Sequence, residues 1–189
     1  MDRRILAATA VCLGAAISPA ASANAQKTTV LHQGAGGSVH VRSEWTIAGA
    51  AIAIEYGRPS LKGRGLETLI PPGRVWRLGA DEATTFRTSR PIVVGESRLA
   101  AGAYSLYAIP GAREWQLIVN QQTGQWGTSY DDRADVIRIP LSVSTSSENI
   151  EQLTIAIDIT TDGGMLSIAW GRVRAQTSLR ASAEAVTRV

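Results

Sequence analysis

The chain has 189 residues, of which 44% are hydrophobic and 19% charged, with a formal net charge of +3 and a single cysteine. The length suits one domain, with enough chain to bury a core without covalent staples. The mild charge, with no basic tail and no long run of like charge, gives no support for a nucleic-acid partner.

The first residues read as a targeting segment. Asp2-Arg3-Arg4 is followed by the uncharged run Ile5 to Ile17, then Pro19, and then Ala21-Ser22-Ala23 and Ala23-Asn24-Ala25. A charged start, a short apolar stretch and small-x-small cleavage positions predict a secretory signal peptide over residues 1–25. The apolar run is too short for a membrane span of about 20 residues, so no transmembrane segment is expected in the mature protein. Removing Asp2, Arg3 and Arg4 takes the net charge from +3 to +2, and removing Cys12 leaves no thiol for a disulfide. Export to the periplasm or the medium is therefore expected, with a fold that holds without disulfides.

Residues 26–38 are Gly-rich and read as a flexible lead-in. From residue 39 to 180 short runs with strand character recur. Ala51 to Ile54 is apolar on both faces, as a central strand would be, and Tyr104 to Ile109 and Trp115 to Val119 are similar. Further on, Ile137, Ile139, Leu141 and Val143 alternate with Arg138 and Ser142. Leu153, Ile155, Ile157 and Ile159 alternate with polar neighbours, as do Val173, Ala175, Thr177 and Leu179. Period-two alternation marks half-buried antiparallel strands. Turn signals separate the runs at Gly57, Pro71-Pro72-Gly73, Gly95-Glu96, Ala101-Gly102, Pro110-Gly111, Thr123-Gly124 and Asp162-Gly163-Gly164. The pattern predicts an all-β fold, a single antiparallel β-sandwich of jelly-roll type with eight to ten strands and little helix. Gly65 to Ile70 has room for one helical turn, and 181–189 forms a C-terminal tail, either a short helix or a frayed end.

Two segments carry candidate chemistry. Tyr56-Gly57-Arg58-Pro59-Ser60-Leu61-Lys62-Gly63-Arg64 is a strand running into a basic loop, and Val75-Trp76-Arg77-Leu78-Gly79-Ala80-Asp81-Glu82-Ala83-Thr84 follows it. Arg58, Lys62, Arg64 and Arg77, lined by Trp76, Asp81, Glu82 and Thr84, would form one basic surface. Such a surface holds a small anion by charge-assisted hydrogen bonds. Alternation would place Arg77 and Asp81 on one face and Glu82 on the other, unless a bulge at Gly79-Ala80 resets it.

The same residues carry a resemblance. Tyr-x-Arg-Pro-Ser-x-Lys-Gly-Arg from Tyr56 to Arg64, then Val-Trp-Arg-x-Gly-Ala-Asp-Glu-Ala-Thr from Val75 to Thr84, resembles the domain of unknown function 2911 family (DUF2911). Gly102-Ala103-Tyr104-Ser105-Leu106 with Ile109-Pro110, Glu114-Trp115 with Asn120, and Trp126-Gly127 with Tyr130 resemble further segments of it, over roughly Ile52 to Arg174. Asp81 stands where the family more often has Asn, and Gly57 where it often has Ser. The resemblance implies an exported β domain and directs attention to the two motifs. It implies no reaction and no cofactor.

Other chemistries find less support. Asp131-Asp132-Arg133-Ala134-Asp135 offers oxygen ligands but lacks the glycine and terminal glutamate of a calcium loop. His32 and His40 are the only histidines, and without cysteine a tetrahedral zinc site would need carboxylates as well. No metal ligand set is assigned. There is no Gly-x-Ser-x-Gly elbow and no nucleotide-binding glycine motif. Trp45, Trp115 and Trp170 fall in strand patterns and read as core, whereas Trp76 and Trp126 lie near loops, where indoles stack on sugars or cations. The leading expectation is a non-enzymatic binding module for a small anionic or glycan ligand. The alternatives are a hydrolase using Asp81 or Glu82 near Arg77, and an envelope structural or protein-interaction domain.

Overall fold

The computed structural model describes residues 26–182, so the expected signal segment and nearly all of the expected tail lie outside the described residues. Ten strands run in chain order: β1 Lys27–Gln33, β2 Val39–Ile47, β3 Ala50–Arg58, β4 Thr84–Thr88, β5 Ile92–Val94, β6 Ser97–Leu99, β7 Gly102–Ile109, β8 Glu114–Asn120, β9 Asp135–Thr160 and β10 Gly163–Ala181. The only helical elements among the described residues are two 3-10 turns, Leu66–Thr68 and Asp132–Ala134. The fold is all-β and antiparallel, and the helical turn expected near Gly65 is present.

The layering differs from two separate sheets. The strands hydrogen-bond into one continuous sheet in the order β1-β2-β3-β4-β7-β8-β9-β10-β5-β6. Its core is enclosed because β9 and β10 are long enough to serve twice. The start of β9 pairs with β8 from Asp135 to Ser142, and the end of β10 pairs with β5. The remaining β9–β10 hairpin turns back over the sheet. Its register shifts around Gly171, which has φ +59, between Ala169 and Val173. A glycine in that conformation lets a long hairpin bend where a β-carbon would resist.

The returned hairpin is fastened to β3 and the loop after it. The Tyr56 hydroxyl accepts from the Ile155 amide at 2.9 Å, Leu153 N–H donates to Pro59 O at 3.0 Å, and Leu61 N–H donates to Glu151 O at 2.9 Å. Between the layers lie Ile52, Ile54, Phe86, Leu106, Leu117, Ile139, Leu153 and Ile155, all nearly free of solvent. Trp76 stacks on Trp170 and meets Trp115 edge-on, each at 6.0 Å between ring centres. Trp45, Trp115 and Trp170 occupy the core as their strand patterns suggest, and Trp76 joins them.

Residues 27–33, inside the segment expected to be a lead-in, form the edge strand β1. Every residue of β1 is exposed, so burial leaves no alternation in its sequence.

Candidate functional site

The faces of β2 and β3 follow from alternation. Val41, Trp45, Ile52 and Ile54 face the core, while His40, Arg42, Glu44, Ala51, Ala53, Glu55 and Gly57 face outward. His40 is nevertheless buried, because other segments close over it.

The first of these is β1. Its register against β2 shifts between Val30 and His32, and His32 then pairs with His40. An irregularity of one residue moves a side chain to the other face of a strand. Here it brings the His32 ring onto the His40 ring at 4.5 Å between centres and 15° between planes.

The second is the loop before β4. Trp76 bridges to Ala108 in both directions, at 2.7 and 2.9 Å. Ala80 N–H then donates to Gly57 O at 3.3 Å, and Gly127 N–H donates to Asp81 O at 2.9 Å. Leu78 and Asp81 take φ values of +52 and +62, a conformation costly for residues with a β-carbon. Sharp turns at both break the period of two. Asp81 and Glu82, expected on opposite faces, therefore both reach His40. Its Nε2 lies 3.2 Å from Asp81 Oδ2 and 3.5 Å from Glu82 Oε2.

Two glycines make the approach possible. A β-carbon at Gly57 would sit 2.7 Å from His40 Nε2, and one at Gly34 would lie equally close to Nε2 and would run into the Asp81 carboxylate. His40 and Asp81 are buried, while His32 and Glu82 border a cavity of about 330 Å³. Tyr56, Glu55, Thr85 and Arg87 also line it. Burial pushes the Tyr56 phenol above its ordinary value. Arg42 bonds Glu44 at 3.0 Å and also pairs with Glu55, and the Glu44 bond first of all holds its pKa above the ordinary value.

Chemically the centre is over-supplied with acceptors. An imidazole Nε2 carries at most one proton, enough for one carboxylate. Two carboxylate oxygens and a second imidazole gather here. One ligand-type atom from each of His32, His40 and Glu82 lies within 4.8 Å of the others. Tetrahedral zinc ligands at about 2.0–2.2 Å from the ion stand about 3.4 Å from one another, close to the His40–Glu82 separation.

The other residues singled out from sequence are placed elsewhere. Arg58 donates from Nε to Leu153 O at 3.1 Å and from Nη2 to Thr154 Oγ1 at 3.0 Å. Arg64 donates to Leu61 O at 2.9 Å and Ser60 O at 3.0 Å, closing its own loop. The Lys62 amide is held by Glu151 at 2.8 Å. Arg77 donates to Gly79 O at 3.2 Å and, with the buried Trp76, borders a separate cavity beside Tyr107 and Tyr130. Thr84 is buried and donates to Leu78 O at 2.8 Å. Arg64, Arg77 and Glu82 thus line three different cavities. Asp81 and Glu82 are the pair that the fold brings together, and their partner is His40.

Residues 38–179 match the family described as "Protein of unknown function (DUF2911)". The chain belongs to this family. The matched span takes in His40, Gly57, Asp81 and Glu82 but begins after β1, so His32 lies before it. No curated protein and no solved structure matches the chain. The family brings no activity, and functional inference rests on the geometry.

His32 and His40 were within reach of the sequence. They flank Gly34-Ala35-Gly36-Gly37, and a hairpin there would bring the chain's two histidines side by side.

Proposed function

We propose that the protein is an exported binding module that holds a divalent transition-metal ion, zinc above all, through His32, His40 and Glu82. The observation that carries this reading is the convergence of two imidazoles and a carboxylate, from three separate backbone segments, to within 4.8 Å. Asp81, 3.2 Å from His40 Nε2, adds a second negative charge beside the ion. Three protein ligands leave a coordination position open toward the cavity, the pattern of sites that exchange water for another ligand. The proposed ligands are thus nitrogen and oxygen donors alone, and the site needs no thiolate.

The test is a zinc titration of metal-free protein against a competing chelator. One ion per chain is expected. His32→Ala, an exposed change, should weaken binding by at least roughly tenfold, since even outer partners of a metal act on that scale. Glu82→Gln should do the same. Wild-type protein with no affinity for zinc, or variants that bind as wild type does, would refute the proposal. Export is supported by Asp2 to Ala25. Protein recovered from the periplasm or medium should begin at Asn24 or Gln26, and an intact Met1 there would count against it.

A further inference from the structure

Arg87 stands out on the outward face of the sheet. It is exposed, and it lines both the 330 Å³ cavity that holds His32, His40 and Glu82 and a neighbouring cavity of about 690 Å³. Among the described residues no carboxylate pairs with it, whereas nearby Arg42 is committed to Glu44 and Glu55. The register explains the difference. Arg87 pairs with Ala53 on one side and Ala103 on the other, so its cross-strand neighbours are methyl groups that neither neutralise nor cover the guanidinium.

Building on the metal reading above, we propose that the ion and Arg87 together form a two-point site for a short dianion. One anionic group fills the open coordination position and the other is held by the Arg87 guanidinium. The spacing suits such a ligand. Arg87 lies level with Ala53, and Ala53 lies level with Glu44, four residues beyond His40 on β2. That is about 13 Å along the strands and about 10 Å across two of them. The long arginine side chain and the ion on its imidazole close most of this distance from opposite ends. A gap of a few carbon–carbon bonds remains.

Charge points the same way. Glu82 and Asp81 offset a divalent ion, and Glu55 is engaged by Arg42, so Arg87 is the arginine lining this cavity that no carboxylate bonds among the described residues. A guanidinium takes a carboxylate or phosphate through two parallel hydrogen bonds. A ligand with one anionic group can satisfy the ion or the arginine, and one with two can satisfy both.

The experiment uses cobalt(II) in place of zinc, because its visible bands report changes in coordination. Cobalt-loaded protein is titrated with succinate and, separately, with acetate. Succinate should bind wild type at least tenfold more tightly than acetate. Arg87→Ala should bring succinate down to the acetate level while leaving cobalt and acetate affinities unchanged, and Arg87→Lys should fall between. Equal affinities for the two anions in wild type, or succinate binding untouched by Arg87→Ala, would overturn the two-point site while the metal reading stands. Failure of cobalt to bind at all is seen before any anion is added, and it overturns both.

Discussion

Arg58→Ala separates a structural arginine from a ligand-binding one. The sequence groups Arg58 with a basic surface. In the fold its guanidinium instead clamps the returned hairpin, donating to Leu153 O at 3.1 Å and Thr154 Oγ1 at 3.0 Å. A hydrogen bond from a charged group contributes about 1.5–3 kcal/mol. Arg58 is only half-buried, so water replaces part of what is lost, and the lower part of that range applies. A loss of about 2 kcal/mol in a domain of this size lowers Tm by roughly 4–8 °C. Urea unfolding should give the same loss as a shift in midpoint at constant slope. Thr154→Val, which removes one of the two acceptors, should cost less. The double variant should be less destabilised than the two single changes added together, because both remove one bond. A Tm within a degree of wild type, together with weakened and salt-sensitive anion binding, would refute the structural role and restore the basic-surface reading.

Two further outcomes follow from particular contacts. A β-carbon at Gly57 would meet the backbone oxygen of Ala80 at 2.5 Å as well as the His40 ring. Gly57→Ala should therefore lower Tm and weaken zinc binding together, and a drop in neither would show that the Ala80 loop yields freely. Tyr130 donates to Asp135 at 2.7 Å, and burial first, then Asp135, push its pKa up from 10.0 to about 12. In the unfolded chain the phenol ionises near its ordinary value. The stabilisation is thus intact below pH 10 and fades as pH rises from about 10 to about 12. Tyr56 and Tyr107 are pushed up by burial as well, so Tyr130 is read from the difference in high-pH absorbance against Tyr130→Phe. Its ionisation should come late, and Asp135→Asn should bring it earlier; a Tyr130 that ionises near pH 10 would contradict the contact.

The fold was legible wherever one side of a strand is buried and the other is not. Ile139 and Leu141 are inside with Arg138 and Ser142 outside, and Leu153, Ile155 and Ile157 repeat the pattern on β9. Ala51 to Ile54 reads as central because both faces are small or apolar, and β3 does lie between β2 and β4. Its outward alanines line a cavity instead of a second layer. Alternation reports burial and not pairing. It therefore could not distinguish two facing sheets from one sheet whose last hairpin folds back. The same limit hides β1, since a strand exposed on both faces carries no period at all.

The candidate centre was half legible, for a reason that lies in the backbone. Asp81 and Glu82 were named from sequence, but period two set them on opposite faces. Only the left-handed turns at Leu78 and Asp81 bring both to one imidazole. Neither residue is a glycine or asparagine, so the one local sign of the turn is Gly79-Ala80 between them, where a bulge would reset the alternation. What stabilises it is distant: Gly57 O accepts from Ala80, and Gly127 donates to Asp81 O. Those two contacts also explain why the basic motif and the acidic motif take different roles. Arg58 and Arg64 spend their guanidinium donors on nearby carbonyls and the Thr154 hydroxyl, and the Lys62 backbone amide donates to Glu151, fixing the strand end and loop that hold the hairpin in place. Gly57, inside that same strand end, holds the Ala80–Asp81 turn. The arginines of the first motif thereby set the backbone on which the carboxylates of the second are aimed at His40. The cation left facing the cavity, Arg87, lies on β4 three residues past Thr84, where the second motif ends.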